Sequence, residues 1–179
     1  MPLLDRGAHE GAAVGAANCI RRREDGTLEG CNTDIVGLRV SLDRLLGEAQ
    51  PSGALILGTG GASQAVQYAL AERDIPFELV SRDPAKGNYT YDNLPFETER
   101  DALVTDQCSP WGARPAADGA PRLPNWALTP DHFRLDVVTS PPLTRFLDFG
   151  RQRSDRILNG ETMFREQAEA SWRFWNGSM

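Results

Sequence analysis

The sequence predicts an α/β fold: a doubly wound parallel sheet with helices on both faces. Three observations carry that expectation. Ala54-Leu55-Ile56-Leu57 is continuously apolar, as a parallel strand covered on both faces must be. Gly58-Thr59-Gly60-Gly61-Ala62-Ser63 follows at once. Ala65, Val66, Ala69 and Leu70 then trace one helix face ending near Glu72-Arg73-Asp74, and residues 75–80 read as a second strand. Strand, glycine turn, helix and strand make a βαβ unit, with a right-handed crossover as the strong default.

Composition narrows the rest. The chain has 179 residues, 40% hydrophobic and 25% charged, the balance of one globular domain or a little more. Nineteen basic against twenty-five acidic side chains leave a net charge of −6, the wrong sign for a protein living on phosphate backbone, so no nucleic-acid partner is expected. Eighteen of the basic residues are Arg; the one lysine is Lys86. No stretch has the apolar length of a bilayer span, and Met1-Pro2-Leu3-Leu4-Asp5 lacks the basic start and apolar run of a signal peptide. A cytoplasmic protein without a membrane partner is expected. Cys19, Cys31 and Cys108 are odd in number and lack CxxC spacing, and only His9 and His132 accompany them, so no metal site or disulfide framework is expected. The thiols should be buried and reduced, and the histidines should sit on the surface or in loops.

Taken in order, residues 1–17 are small and Gly/Ala-rich, reading as a short helix from about Leu3 to Glu10 that runs into a loop. Residues 18–32 read as a β-hairpin turning at Asp25-Gly26, with Arg21-Arg22-Arg23 at a solvated strand end. Thr33-Asp34 opens a helix whose apolar residues are Val36, Val40, Leu42, Leu45 and Leu46, and Gln50-Pro51-Ser52-Gly53 breaks it. Beyond the βαβ unit, Leu103-Val104 is a weaker strand signal, 113–130 is a Pro-, Ala- and Gly-rich loop, and 133–138 is a further strand stopped by Pro141-Pro142. The last helix, about Glu161 to Trp175, carries the stripe Phe164, Ala168, Ser171/Trp172 and Trp175, expected to pack into the core. These breaks divide the chain into residues 1–50, 51–150 and 151–179.

The glycine turn has chemistry of its own. Gly58 permits the tight turn, Gly60 lets main chain approach a pyrophosphate, and small residues behind allow close helix–strand packing, with Ser63 in the third fingerprint position. The helix that follows offers unpaired N–H groups and its positive dipole end to phosphate. In this context the turn predicts a Rossmann-like dinucleotide site made by Gly58, Thr59, Gly60, Gly61, Ala62 and Ser63. At the end of the second strand stands Val80-Ser81-Arg82-Asp83, where an acidic residue suits NAD and an arginine suits the 2′-phosphate of NADP. Arg82 offers a planar fork and Ser81 a further donor, which favours NADP; Asp83 could neutralise the arginine or repel the phosphate. Asn32-Thr33-Asp34, just before an apolar helix, could by itself be an N-cap cluster.

Together these segments resemble the shikimate dehydrogenase family. Val14-Gly15-Ala16-Ala17-Asn18-Cys19-Ile20 is similar to that family's IGAVNTI segment, and Glu24-Asp25-Gly26 with residues 30–37 to its DG…GxNTDGxG stretch. Residues 57–63 match its nucleotide loop, Ser81-Arg82-Asp83 stands at its Asn/Ser-Arg-Thr clamp, and residues 159–168 resemble its NGxxMLxxQA element. The resemblance implies reversible reduction of 3-dehydroshikimate to shikimate with NADPH, a step of aromatic amino acid (chorismate) biosynthesis. It implies Asn18, Asp34 and Gln167 as substrate-binding residues, Asp34 as half of a catalytic pair, and Met163 beside the cofactor. Gly160, Met163 and Gln167 fall on one helix face, distinct from the tryptophan stripe.

The departures matter equally. The family carries an N-terminal βα substrate domain with a serine-rich site and an NVTxPxK segment, whose lysine partners the aspartate. This sequence begins just beyond where that lysine would stand, and Lys86 follows the Arg82 clamp. A positioned acid is typically worth 10²–10⁴-fold, so the resemblance implies an impaired enzyme. A non-catalytic dinucleotide-binding or regulatory module is the alternative. The family's VYNP becomes Val138-Thr139-Ser140-Pro141 and its NTTPxGM becomes residues 107–113, while Thr105-Asp106 puts polarity in an expected buried strand. The hairpin, as a remnant of the substrate domain, would show an unpaired edge, so a homo-oligomer formed through it, or poor solubility, is expected.

Overall fold

A computed structural model describes residues 5–7, 14–102, 104–109, 111–113, 115, 118–121, 123, 129–153 and 156–177. They form two sheets. The smaller comprises β1 (Arg6–Gly7), β2 (Cys19–Arg22) and β3 (Leu28–Cys31) in the order β1-β3-β2. β2 and β3 are the expected antiparallel hairpin, with Cys19 opposite Cys31 and Gly26 at a φ of 85° in the turn. Arg6 and Gly7 are strand, not the helix expected over 3–10, and they pair in parallel with Glu29 and Gly30. The Asp5 amide donates to Leu28 O at 3.0 Å, and the Leu28 amide donates to the Asp5 carboxylate at 2.8 Å. These bonds draw the segment along β3, so sheet pairing overrides local propensity and covers that edge of the hairpin. The remainder of 3–10, His9 included, lies outside the described residues.

The larger sheet is wholly parallel. It comprises β4 (Ala54–Leu57), β5 (Phe77–Val80), β6 (Val104–Gln107), β7 (Phe133–Asp136) and β8 (Arg156–Leu158), in the order β5-β4-β6-β7-β8. The chain leaves β4 to one side for β5 and returns to the other side for β6. The C-terminal ends of β4 and β6 therefore flank a topological switch point, where open α/β sheets leave a crevice.

Alternation along β4 shows why both faces must be covered. Ala54 and Ile56 pack in one core cluster with Leu38, Leu42, Val66 and Leu70, whereas Leu55 and Leu57 pack in another with Phe146 and Leu147. Each fully buried Leu, Ile, Val or Phe side chain among them contributes about 1.5–3 kcal/mol. The first cluster lies under α1 (Asp34–Leu46) and α2 (Gly61–Ala71); the second takes Phe146 and Leu147 from α4 (Arg145–Gln152) and Ala102 from the residue after α3 (Phe96–Asp101). The helices α3 and α4 and the strand β8 are short and had no sequence expectation. In α1 the buried face is Ile35, Leu38, Leu42, Leu45 and Leu46, and Val40, expected on it, is exposed.

The last helix, α5 (Glu161–Trp175), has the expected bounds and the opposite orientation. Phe164, Trp172 and Trp175 are 62%, 67% and 56% exposed, while Met163, Ala170, Ser171 and Phe174 are buried. Helical spacing finds both stripes, but it cannot say which one meets the core. Packing against α1 decides it: a Cβ on Gly37 would sit 2.4 Å from Met163 O, so the two backbones nearly touch along the Met163 side. His132 lies in a loop, as one of the two expectations had it, but not on the surface. It is buried, with Nδ1 accepting from the Thr129 amide at 3.0 Å. The three cysteines are free, Cys19 and Cys31 buried and Cys108 half-buried. Among the described residues no helix is long and apolar enough to cross a membrane, and no cluster of His, Cys, Asp and Glu could hold a metal ion.

Candidate functional site

A cleft of about 770 Å³ opens at the C-terminal ends of β4, β5 and β6, beside the switch point. Gly58, Thr59 and Gly60 line it from the first turn, and Ser81 and Arg82 from the end of β5. Gly58 has a φ of 116°, and an added Cβ would lie 3.3 Å from the Ser109 amide nitrogen, so strain and crowding both demand glycine here. Gly60 caps α2 without a side-chain bond, and a Cβ on Gly60 or Gly61 would meet nothing within 4 Å. The start of α2 is therefore bare main chain facing open space, the arrangement that receives an anion. Ser63 is fully buried and its Oγ accepts from Gln67 at 3.1 Å, so it serves packing behind the turn. Ala62, between them, is half-buried.

At the β5 side, the Ser81 and Thr59 hydroxyls lie 3.4 Å apart. Ser81 Oγ also accepts from the Asp83 amide at 3.1 Å. Asp83 is met by Lys86 at 3.6 Å rather than by Arg82. That pair is exposed and worth little as stability. Its electrostatic effect is to offset the acid next to Arg82, whose guanidinium has no ion-pair partner among the described residues.

The opposite wall comes from the segment after β6. Gln107 is fully buried, and its amide organises that segment: Nε2 donates to Ser109 O at 3.0 Å and Trp111 O at 2.9 Å, while Oε1 accepts from Ser109 N and Oγ. Tyr91, Ser109 and Trp111 line the cleft, and sequence reasoning missed them together with Lys86. The weak signal at 103–104 hid a central strand; placed beside β4, β6 would have directed its following segment to the crevice. All four residues of β6 are buried. Burial pushes the Asp106 carboxyl up to about 8, helped by the nearby Asp136, and its Oδ2 has no hydrogen-bond partner. Protonation thus reconciles an acid with a core strand. Burial, with Asp106 beside it, pushes the Cys108 thiol well up as well, away from the thiolate form.

A second constellation forms where α1 meets the hairpin and α5. Asn18 Oδ1 accepts from the Thr33 amide at 2.9 Å and from Thr33 Oγ1 at 3.1 Å. Thr33 Oγ1 also lies 2.9 Å from Ser171 Oγ and 3.4 Å from Gln167 Oε1. Asn32 Oδ1 accepts from the Asp34 amide at 3.1 Å. Capping thus falls to Asn18 and Asn32, and the Asp34 carboxylate is left over. Burial raises its pKa, and a hydrogen bond from Asn18 opposes that shift.

The structure therefore gathers Asn18, Asp34 and Gln167 into one cluster and Gly58, Thr59, Gly60, Ser81 and Arg82 into one cleft. Gly61, Ala62 and Ser63 form the first turn of α2 behind that cleft. Met163, expected at the cofactor, does not line it; the side chain is buried in the core with Ile35 and Leu38.

No protein-family model matches the chain. Among curated proteins it is similar to the shikimate dehydrogenase (NADP(+)) of Halothermothrix orenii, 32% identical over 99% of this chain and 68% of the relative. It is similar also to the quinate/shikimate dehydrogenase (NAD(+)) of Corynebacterium efficiens, 31% identical with the same two coverages. Among solved structures, shikimate 5-dehydrogenase of Thermus thermophilus in complex with NADP(H) and shikimate superposes with a TM-score of 0.83, at 28% identity, over 97% of this chain and 67% of that one.

Proposed function

The chain belongs to the shikimate dehydrogenase family, and from that premise we propose that it is an oxidoreductase interconverting 3-dehydroshikimate and shikimate with NADP(H). The observation that supports this most is the cleft that the bare turn at Gly58–Gly60 and the Arg82 fork, without an ion-pair partner among the described residues, line together. The pyrophosphate would rest on the main-chain amides of residues 60–63 at the start of α2, where the helix dipole favours negative charge. Arg82, with Ser81 and Lys86, would take the 2′-phosphate; a guanidinium fork binds phosphate with two parallel hydrogen bonds. NAD would leave that fork idle, which is the physical basis for preferring NADP.

When bound, the nicotinamide supplies or accepts the hydride. This chain's own residues must then move a proton, because hydride addition to a ketone leaves charge on oxygen. Asp34 is the group proposed for it: half-buried, not used as a cap, and with its carboxyl pKa raised by burial against the opposing hydrogen bond from Asn18. Asn18 and Gln167 would hold substrate hydroxyls beside it.

A second reading rests on one observation. The family pairs its aspartate with a lysine, and the one lysine of this sequence lines the nucleotide cleft next to Asp83. Under that reading these residues are a nucleotide-binding module without turnover of their own. Titration calorimetry with NADP(+) and a shikimate-dependent NADP reduction assay separate the readings. Binding with turnover supports the first, binding without turnover supports the second, and no binding overturns both.

A further inference from the structure

We propose that Gln107 is a positioning residue for the dinucleotide: its buried side-chain amide holds the wall opposite the Arg82 fork in the shape that the nucleotide needs, before the nucleotide arrives. This rests on the reading of the cleft as a nucleotide site and adds what gives that site its shape.

A side-chain amide has two N–H donors and an oxygen with two lone pairs. In Gln107 all four are used, and all on one short segment. Nε2 donates to Ser109 O and Trp111 O, while Oε1 accepts from Ser109 N and Ser109 Oγ. The amide therefore has one orientation. Turned over, its NH₂ would face the Ser109 N–H and its oxygen would face two carbonyl oxygens. These bonds do for the main chain of 109–111 what a ladder does inside a sheet, just where the strand has ended.

The anchor is rigid. Gln107 ends β6, between β4 and β7, in register with Leu57 and Asp136. The Cys108 amide donates to Leu57 O at 3.0 Å, and the Val137 amide donates to Gln107 O at 3.2 Å. Asp136 does not compete for the Gln107 amide, because its carboxylate accepts from the Val138 amide and the Thr144 hydroxyl. What the anchor holds is cleft surface: Ser109 and Trp111 both line it. At one end Ser109 N is the atom that a Cβ on Gly58 would approach to 3.3 Å, so this wall abuts the glycine turn. At the other end Gly112, with a φ of 85°, passes so close to Thr144 that an added Cβ would lie 3.2 Å from its side chain. The Gln107 amide is the tie between those two contacts.

Without the amide, the main-chain groups of Ser109 and Trp111 turn to other partners and the wall takes several shapes. Apparent affinity then falls by the fraction of time that the binding shape persists; a wall in place for one-tenth to one-hundredth of the time binds about tenfold to a hundredfold more weakly. The 2′-phosphate is assigned to Arg82, Ser81 and Lys86, none of which Gln107 holds. NADP(+) and NAD(+) should therefore weaken by the same factor.

The test is titration calorimetry of the full chain with NADP(+) and with NAD(+), on wild type and two variants. Gln107→Met keeps the length and removes all four bonds. Gln107→Glu keeps the shape and sets an acceptor against the carbonyls of Ser109 and Trp111. Circular dichroism shows which variants fold, and Gln107→Met carries the test if the buried acid of the other prevents folding. The wall itself is read by fluorine NMR of protein labelled with 5-fluorotryptophan, with the Trp111 signal assigned through Trp111→Phe. The expected result is one sharp Trp111 signal in wild type and a broadened or split one in Gln107→Met, which saturating NADP(+) sharpens. The signals of Trp172 and Trp175 on α5 should not change, whereas a general loosening of the fold would move them too. Both nucleotides should bind about tenfold to a hundredfold more weakly. A folded Gln107→Met variant that binds both as wild type does overturns the proposal alone, as does a loss confined to NADP(+) or a broadening shared by Trp172 and Trp175. Wild type without affinity for either nucleotide overturns the reading of the cleft and this proposal with it, so the two failures appear in different samples.

Discussion

The cleft at the end of β4 is made largely of main chain, whereas the cluster between α1 and α5 is made of side chains drawn from three distant segments. In the cleft, Gly58 and Gly60 matter for what they lack, and α2 begins where it must, directly after an apolar strand. In the cluster, Asn18, Thr33 and Gln167 hold one another across 134 residues of sequence between Thr33 and Gln167. The first arrangement is preorganised by local geometry and tolerates change in its surroundings. The second exists only if α5 lies hard against α1, and its shape depends on one glycine contact a helical turn from Asp34.

That difference can be broken at either end. The largest expected effect is Asp34→Asn, which should lower shikimate-dependent NADP reduction about 10²–10⁴-fold while leaving the nucleotide dissociation constant unchanged. A parallel loss of nucleotide affinity would mean that the two regions are not separable. Next is Gly37→Ala. Its Cβ would lie 2.4 Å from the Met163 carbonyl oxygen, and main chain cannot swing aside. Overpacking of this kind typically costs about 1–3 kcal/mol. Denaturant unfolding should show that loss, with shikimate affinity reduced more than nucleotide affinity. An unchanged midpoint would mean that α1 and α5 are not in that close contact.

How much of this was legible in the sequence follows the same division. The apolar run 54–57 and the glycines after it announce their own conformations, so β4, the turn and α2 were all readable, as was the hairpin at Asp25-Gly26. α5 was readable as a helix but not in its facing, because Met163, Ala170 and Phe174 recur at helical spacing as faithfully as Phe164, Trp172 and Trp175. Only the tertiary contact through Gly37 chooses between them. β6 was under-read because Thr105, Asp106 and Gln107 look like surface residues; burial keeps Asp106 protonated and gives Gln107 four hydrogen bonds to the segment after it. The wall made by Tyr91, Ser109 and Trp111 was lost with that strand. Arg6-Gly7 was misread because a two-residue strand has no periodicity to find.

Smaller effects sharpen the account of the cleft. Arg82→Ala should weaken NADP(+) binding about tenfold to a hundredfold, as expected for losing charge-assisted hydrogen bonds worth about 1.5–3 kcal/mol, and should leave NAD(+) binding nearly unchanged. Equal weakening of both would mean that Arg82 contacts something other than the 2′-phosphate. The smallest concerns pH. The Asp106 carboxyl is raised to about 8 in the fold, far above its value in an unfolded chain, so the folded state binds this proton more tightly. Its stabilising contribution is complete below about pH 4 and is lost as pH rises through about 8. Asp106→Asn should remove that decline, so the melting temperatures of variant and wild type diverge in the variant's favour between pH 6 and pH 9. Parallel curves would mean that Asp106 is already ionised or solvated.

The central claim is that main-chain amides at the start of α2 grip a dinucleotide's phosphates, and amide hydrogen exchange on adding NADP(+) tests it most directly. The account predicts slowed exchange or large shifts at residues 58–63, with smaller changes at Ser81 and Arg82. Saturable NADP(+) binding that leaves the amides of residues 58–63 untouched would contradict it.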